Sequence, residues 1–211
     1  MASGMPVYHR AMPVPSSDVT AFILAGGKST RMGTDKAFVE LNGRTLLSRM
    51  LDLARSVAMD VRIVGDAAKF SRFAPVVEDV FRGCGPLGGI HAALRSSQTD
   101  LNLIVAVDVP FLSTEFLEFL VTRSRASQAI VTTVRTCDGW QPLCAMYRRE
   151  FANAAESALQ VGGYRIDGLF FPAATLVIGE AELHEQGFSP DLFRNLNTPE
   201  ELSGADQVTD R

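Results

Sequence analysis

The 211-residue chain holds only three cysteines, three histidines, three lysines and one tryptophan, and each scarcity removes a class of function. Cys84, Cys137 and Cys144 are odd in number and match neither a disulfide framework nor a zinc spacing, which favours a reducing, cytoplasmic setting. His9, His91 and His184 are scattered and have no acid or nucleophile beside them, so no histidine-based triad or metal cluster is legible. His91 is expected on the outer turn of a helix. No uninterrupted apolar run approaches the roughly 20 residues that span a bilayer. No basic start followed by an apolar stretch marks a secretory signal. With a formal net charge of −4, broad attraction to nucleic acid or to an anionic membrane is not expected. An anionic ligand must therefore be held by a local arrangement of groups.

The chain has 46% hydrophobic residues and 21% charged, with no repeat and no low-complexity linker, which predicts one globular domain. Its expected extent is residues 18–205, with a flexible leader at 1–17 carrying Pro6, Pro13 and Pro15, and a tail at 206–211. Residues 19–24 form a continuous apolar run ended by Ala25-Gly26-Gly27, as in a strand buried on both faces of a parallel sheet. Helical spacing over 45–58 is followed by a β-branched run at 60–64. The alternation continues with a strand at 75–77, a helix at 87–95, a strand at 101–107, a helix at 114–124, a strand at 129–134 and a helix at 148–159. This pattern predicts a three-layer α/β/α fold of Rossmann-like type with a mostly parallel central sheet. In such sheets ligands bind beyond the carboxyl ends of the strands.

The segment from Leu24 to Lys36 leaves the first strand as a loop of Gly26, Gly27 and Gly33 with Lys28, Arg31 and Lys36. Glycines let backbone N–H groups approach an anion, while Arg31 offers a bidentate grip on phosphate and lysine a compact charge. The loop is not a Walker A motif, because Phe22 stands where the first glycine is required. Nor is it the dinucleotide fingerprint, since Gly26 and Gly27 are adjacent and no helix follows at once. A chain with seventeen arginines has placed two of its three lysines here, which favours a phosphate site over an ordinary turn.

Asp108 closes the most apolar strand and Val109-Pro110 stops further pairing. Taken alone it is either a turn-capping Asp or a magnesium ligand, since Mg²⁺ needs only one or two carboxylates plus substrate phosphates. Gly85-Pro86-Leu87-Gly88-Gly89 opens a helix whose N-terminal N–H groups suit an anion or a base edge. Thr198-Pro199-Glu200-Glu201 reads as a capping box, which leaves Asn195 and Asn197 unexplained by helix initiation. Trp140 is first of all a packing residue, although it could border a ligand site.

The run Leu24-Ala25-Gly26-Gly27-x-Ser29-x-Arg31-Met32-Gly33-x-Asp35-Lys36 resembles the signature of the nucleotidyltransferases that include the molybdenum cofactor guanylyltransferases. Glu78-Asp79, the glycine-rich 85–89 segment, Asp108-Val109-Pro110-Phe111 and Asn195-Leu196-Asn197-Thr198-Pro199 follow in matching order. The resemblance implies a nucleotidyltransferase that moves GMP from GTP onto Mo-molybdopterin, with Mg²⁺ as cofactor. Catalysis would rest on Arg31, Lys36 and Asp108, with Asp108 holding the metal. Leu24, Ala25, Gly26, Gly27, Lys36, Asp79, Gly89 and Asp108 would bind the nucleotide, and Asn195 and Asn197 the pterin. Molybdopterin-handling proteins and apo-molybdoenzymes are the implied protein partners, with no nucleic acid and no membrane. Alternatives are a cytidylyltransferase, another nucleotidyltransferase that uses a phosphate acceptor, and a non-catalytic GTP-binding module that delivers cofactor. The chain departs from the family where an Asn commonly ends the second strand, for here Val64-Gly65-Asp66 stands instead.

Overall fold

In β1 (Ser16–Leu24) every residue from Val19 to Leu24 is buried, so the strand is stable only with a neighbour on each edge and cover on each face. The computed structural model, which describes residues 15–26 and 35–195, supplies both. β1 pairs in parallel with β4 (Ala58–Val64) and with β6 (Leu101–Ala106). Beyond β4 lies β5 (Val76–Val77); beyond β6 lie β8 (Gly139–Arg148), β7 (Val131–Thr136) and β9 (Thr175–Gly179). β8 runs antiparallel to both of its neighbours, and the other pairings are parallel.

Side chains alternate across β1 and so fill two cores. Ala21 and Ile23 join the core under α1 (Leu46–Val57) and α4 (Thr114–Arg125), whereas Phe22 and Leu24 join the one under α3 (Pro86–Ser96) and α5 (Phe151–Gln160). This is the three-layer α/β/α arrangement that the alternation predicts. A small hairpin of β2 (Glu40–Leu41) and β3 (Arg44–Thr45) precedes α1, and short helices α2 (Ala67–Phe70) and α6 (Glu180–Glu185) complete the set. Thr45 Oγ1 accepts from the Ser48 N–H at 3.2 Å and caps α1, as Ser113 Oγ does for α4 through the Phe116 N–H at 3.2 Å. No helix among the described residues is long and apolar enough to cross a membrane.

The structure departs from the sequence reading at several boundaries. β1 begins at Ser16, inside the stretch assigned to the leader, because Ser16 pairs with Ala58 and the Arg125 guanidinium holds both Ser16 and Asp18. The strand expected at 129–134 runs from Val131 to Thr136, and the helix expected from Arg148 begins at Phe151. Both shifts follow from β8, which takes Arg148 as its last residue. Pro142 hides that strand, since proline lacks the ladder donor. It is tolerated here because Gln141 to Cys144 lie across an irregularity where the β7 register shifts between Thr133 and Arg135. His91 is also corrected: it is buried, 5% exposed, against Phe81 and close to Glu156 of α5.

At the end of the sheet away from the carboxyl edge, buried Asn102 donates its Nδ2 hydrogens to the carbonyls of Thr99, Asp100 and Tyr147 at 3.3, 3.0 and 3.3 Å. It ties the start of β6 to the end of β8.

Candidate active site at the carboxyl edge of the sheet

Three parallel strands end level with one another, at Val64, Leu24 and Ala106. The ladder continues for one residue on each side of β1: the Ala25 N–H donates to Val64 O at 3.0 Å, and the Val107 N–H donates to Leu24 O at 3.1 Å. The chains then diverge. Leu24 and Ala25 bury their side chains, so of these two residues only the main chain is presented to a ligand. A Cβ on Gly26 would stand 3.7 Å from Val64 O, and one on Gly65 would press to 2.9 Å from the Phe70 ring. Gly65 therefore lets the Phe70 ring of α2 sit close on the end of β4, while Gly26 stands in ordinary contact with it. Gly27 and Arg31 lie outside the described residues, as does Lys28.

The loop resumes at Asp35, whose Oδ1 accepts from the Ala37 N–H at 3.2 Å and opens a single turn of 3-10 helix, Lys36–Phe38. That turn aims Lys36 at the end of β6. Its Nζ donates to Asp108 Oδ2 at 2.9 Å, with the two side chains 23% and 22% exposed. Residues 72 apart in sequence, both singled out as catalytic, are thus in direct contact. Asp35 uses its other oxygen to accept from Lys69 Nζ of α2 at 2.9 Å, and that carboxylate holds the Lys69 ammonium above its usual pKa. Lys69 escaped the sequence reading. The available signal was the lysine count, since the third lysine also ends at the glycine loop.

Asp79 follows β5 and turns back on itself, its Oδ1 accepting from the Phe81 N–H at 2.8 Å. The carboxylate lies against the first turn of α3, where a Cβ on Gly88 would fall 2.6 Å from Asp79 Oδ2. Gly88 is glycine because that carboxylate occupies its side-chain space. Burial pushes the Asp79 carboxyl above the usual carboxylate range; the Phe81 N–H, His91 and Arg82 pull it back in part. Gly89 faces inward, its missing Cβ 3.4 Å from Leu24 and Val64, which lets α3 sit close on β1 and β4. Beneath them His91 packs edge-on to Phe81 at 5.1 Å, and burial holds its pKa below the usual value.

On the other side of Asp108, Arg194 lays its guanidinium over the Phe111 ring at 4.5 Å, and Asn195, the next residue, is exposed. Asn197 lies outside the described residues, as does the capping box after it. Trp140 packs edge-on to Phe170 at 5.2 Å and also lines a hollow of about 440 Å³ with Pro86, Pro142 and Tyr164. Among the described residues no three His, Cys, Asp or Glu side chains gather as a self-sufficient metal site.

A half-buried lysine–aspartate pair at the carboxyl edge of a parallel sheet is suited to phosphate chemistry. The family model for the MobA-like NTP transferase domain matches residues 21–168. The chain belongs to this family. Like other MobA-like NTP transferases it is a nucleotidyltransferase enzyme, and its relatives extend the match beyond the domain model. It is 35% identical over 193 residues to the molybdenum cofactor guanylyltransferase of Desulfosudis oleivorans, covering 89% of this chain and 94% of that protein. It is 32% identical to the probable molybdenum cofactor guanylyltransferase of Peptoclostridium acidaminophilum, with 90% and 89% covered. Among solved structures, the molybdopterin-guanine dinucleotide biosynthesis protein A of Archaeoglobus fulgidus superposes with a TM-score of 0.78 at 26% identity, over 90% of this chain and 98% of that one.

Proposed function

We infer that this MobA-like NTP transferase is a molybdenum cofactor guanylyltransferase: it transfers GMP from GTP to molybdopterin-bound molybdenum, giving the molybdopterin guanine dinucleotide cofactor and pyrophosphate. The contact between Lys36 and Asp108 at the common end of β1 and β6 carries the mechanistic part of this inference. In the reaction a terminal phosphate oxygen of the acceptor forms a bond to the α-phosphorus of GTP while the bond from that phosphorus to the bridging oxygen of pyrophosphate breaks. Such a transfer calls for positioning and charge neutralisation more than for a protein nucleophile.

The main-chain N–H groups of the Gly26-Gly27 loop and the Arg31 guanidinium hold the leaving phosphates. Lys36 and Asp108 neutralise one another in the free protein; an arriving triphosphate gives the Lys36 ammonium a second anion, where charge develops on the α-phosphate. Asp79 presents its carboxylate to the amino-amide edge of guanine, and Gly88 gives it room to do so. Asn195 and Asn197 supply amide donors and acceptors to the pterin. The donor set fits Mg²⁺, because Asp108 is a single carboxylate at a phosphate site and that ion takes its other oxygens from substrate and water. When bound, the ion withdraws charge from the nucleotide phosphates. Cytoplasmic location, with molybdopterin-handling proteins and apo-molybdoenzymes as partners, belongs to the same proposal.

The test is thermal stabilisation by GTP, CTP, ATP and UTP, each with and without Mg²⁺. A ligand at 100 times its dissociation constant adds about 2.7 kcal/mol. A magnesium-dependent shift confined to GTP is the expected result. A CTP preference would move the chain to cytidylyl transfer, and no shift with any nucleotide would overturn the assignment of the loop.

A further inference from the structure

We propose that Arg194 receives the anionic group of the acceptor and is a specificity-determining residue for it, an assignment that rests on the transferase activity inferred above. Arg194 follows a single 3-10 turn, Pro190–Phe193, in which buried Phe193 packs edge-on against Phe116 of α4 at 5.2 Å. The Arg194 N–H donates to Asp191 O at 3.1 Å, so the backbone that bears the side chain is fixed. From that anchor the guanidinium lies 4.5 Å above the ring of Phe111, three residues beyond Asp108.

Several other arginines are neutralised by carboxylates, Arg62 by Asp60, Arg123 by Glu182, Arg125 by Asp18 and Arg148 by Asp100, while Arg72 and Arg135 stack on the rings of Phe73 and Trp140. The Arg194 guanidinium has no carboxylate or carbonyl partner among the described residues. Stacking on an aromatic face fixes the plane of a guanidinium and uses none of its N–H donors, which leaves the fork open to a phosphate oxygen pair. Position completes the case. Asp35, which follows the glycine loop in sequence, is tied to α2 through Lys69, whereas Arg194 enters from the α4 side of Asp108, where Phe193 packs on Phe116. In-line transfer requires the incoming and leaving groups to lie on opposite sides of the phosphorus. A cation on the α4 side is placed for the incoming phosphate monoester and not for the pyrophosphate.

The experiment compares the full chain with Arg194→Ala, Arg194→Lys and Phe111→Leu, following pyrophosphate release with either Mo-molybdopterin or GTP varied. Expected for Arg194→Ala is a rise in acceptor KM of about tenfold or more, the scale of one lost charge-assisted contact, with GTP KM and the GTP-induced melting shift within about twofold of the parent. Lysine restores part of the loss, because it keeps the charge without the fork, and Phe111→Leu gives a smaller rise. An acceptor KM unchanged in Arg194→Ala, or a GTP KM that rises in equal proportion, overturns the proposal alone. A parent chain that is stabilised by GTP yet releases no pyrophosphate with the pterin overturns the transferase assignment and this proposal with it.

Discussion

Replacing Asp108 by alanine takes away a carboxylate partner of the half-buried Lys36 ammonium, at the shared end of β1 and β6. The two side chains are 2.9 Å apart and 23% and 22% exposed. An exposed pair of this kind is worth about 0.2–1 kcal/mol, and breaking a fully buried one costs about 3–5 kcal/mol. With some solvent still reaching Lys36 Nζ, the loss falls between these limits, about 1–2 kcal/mol, or a fall of about 2–8 °C in melting midpoint for a domain of this size. The effect on turnover is far larger, because removing a group that stabilises transferring charge costs about 10²–10³-fold. Lys36→Ala is expected to lose turnover on the same scale. Asp108→Asn separates the two roles, since an amide oxygen still accepts from Lys36 while the negative charge is gone: stability is largely kept and turnover is not. The double variant should fall well short of the product of the single effects, because the side chains touch and act as a unit. Pyrophosphate release and thermal melts on the same preparations provide the check. A folded Asp108→Ala chain with turnover within about tenfold of the parent refutes the mechanism.

Asp79→Asn should separate stability from binding. Burial raises the folded-state pKa of Asp79, so its ionised form is a cost at neutral pH that protonation relieves as the pH falls toward the raised value. The amide variant should therefore melt no lower than the parent at neutral pH and lack this group's gain on mild acidification, while GTP affinity drops by about tenfold or more, the scale of a lost charge-assisted pair. Gly88→Ala puts a Cβ 2.6 Å from Asp79 Oδ2 and 2.9 Å from the Phe81 carbonyl oxygen, so the carboxylate and the turn from Asp79 to Phe81 must move together. Alanine favours helix by up to about 1 kcal/mol, so a weaker GTP-induced shift in a chain that still folds would assign the loss to the Asp79–Phe81 turn, Asp79→Asn then separating the carboxylate from the backbone, and an unchanged shift would free Asp79 of its role. Asn102→Ala strips a donor from the carbonyls of Thr99, Asp100 and Tyr147, with an expected cost of about 1–3 kcal/mol in denaturant melts. It lies at the far end of the sheet, so activity per folded molecule should not change.

Much of this architecture was legible because its central strands are apolar without interruption. The run at 19–24 requires neighbours on both sides, and the helices between strands fix parallel order. The strand from Gly139 to Arg148 was hidden by Pro142 and by the polar residues of a hairpin in which only part of the ladder is regular. β9 and α6 went unassigned, for Thr175 to Gly179 is only five residues long and follows a stretch of single 3-10 turns. Lys36 and Asp108 were nameable from local chemistry, but their contact across 72 residues is a product of register, and only the pairing of β1 with β6 brings it about. The environment of His91 was misread because a polar residue in a helix pattern carries no sign of what packs on it; α5 covers that face. Gly88 and Gly89 looked like one glycine-rich turn, yet one makes room for a carboxylate and the other for the sheet. That difference lies in helical phase and is invisible to composition.

The lone antiparallel strand has a consequence for a reaction with two ligands. Along the carboxyl edge the ends of β5, β4 and β1 stand on one side of Asp108. On the other side, Val105 of β6 pairs with Cys144 of β8, so the chain before Cys144 runs past the end of β6 and carries Trp140 to the same edge. Had β8 been parallel to β6, its start would lie at the Asn102 end, and the β7–β8 turn would lie there too. Trp140 would then lie away from the carboxyl edge. The reversal at this one place thus brings the β7–β8 turn, and Trp140 with it, to the edge that holds Lys36 and Asp108.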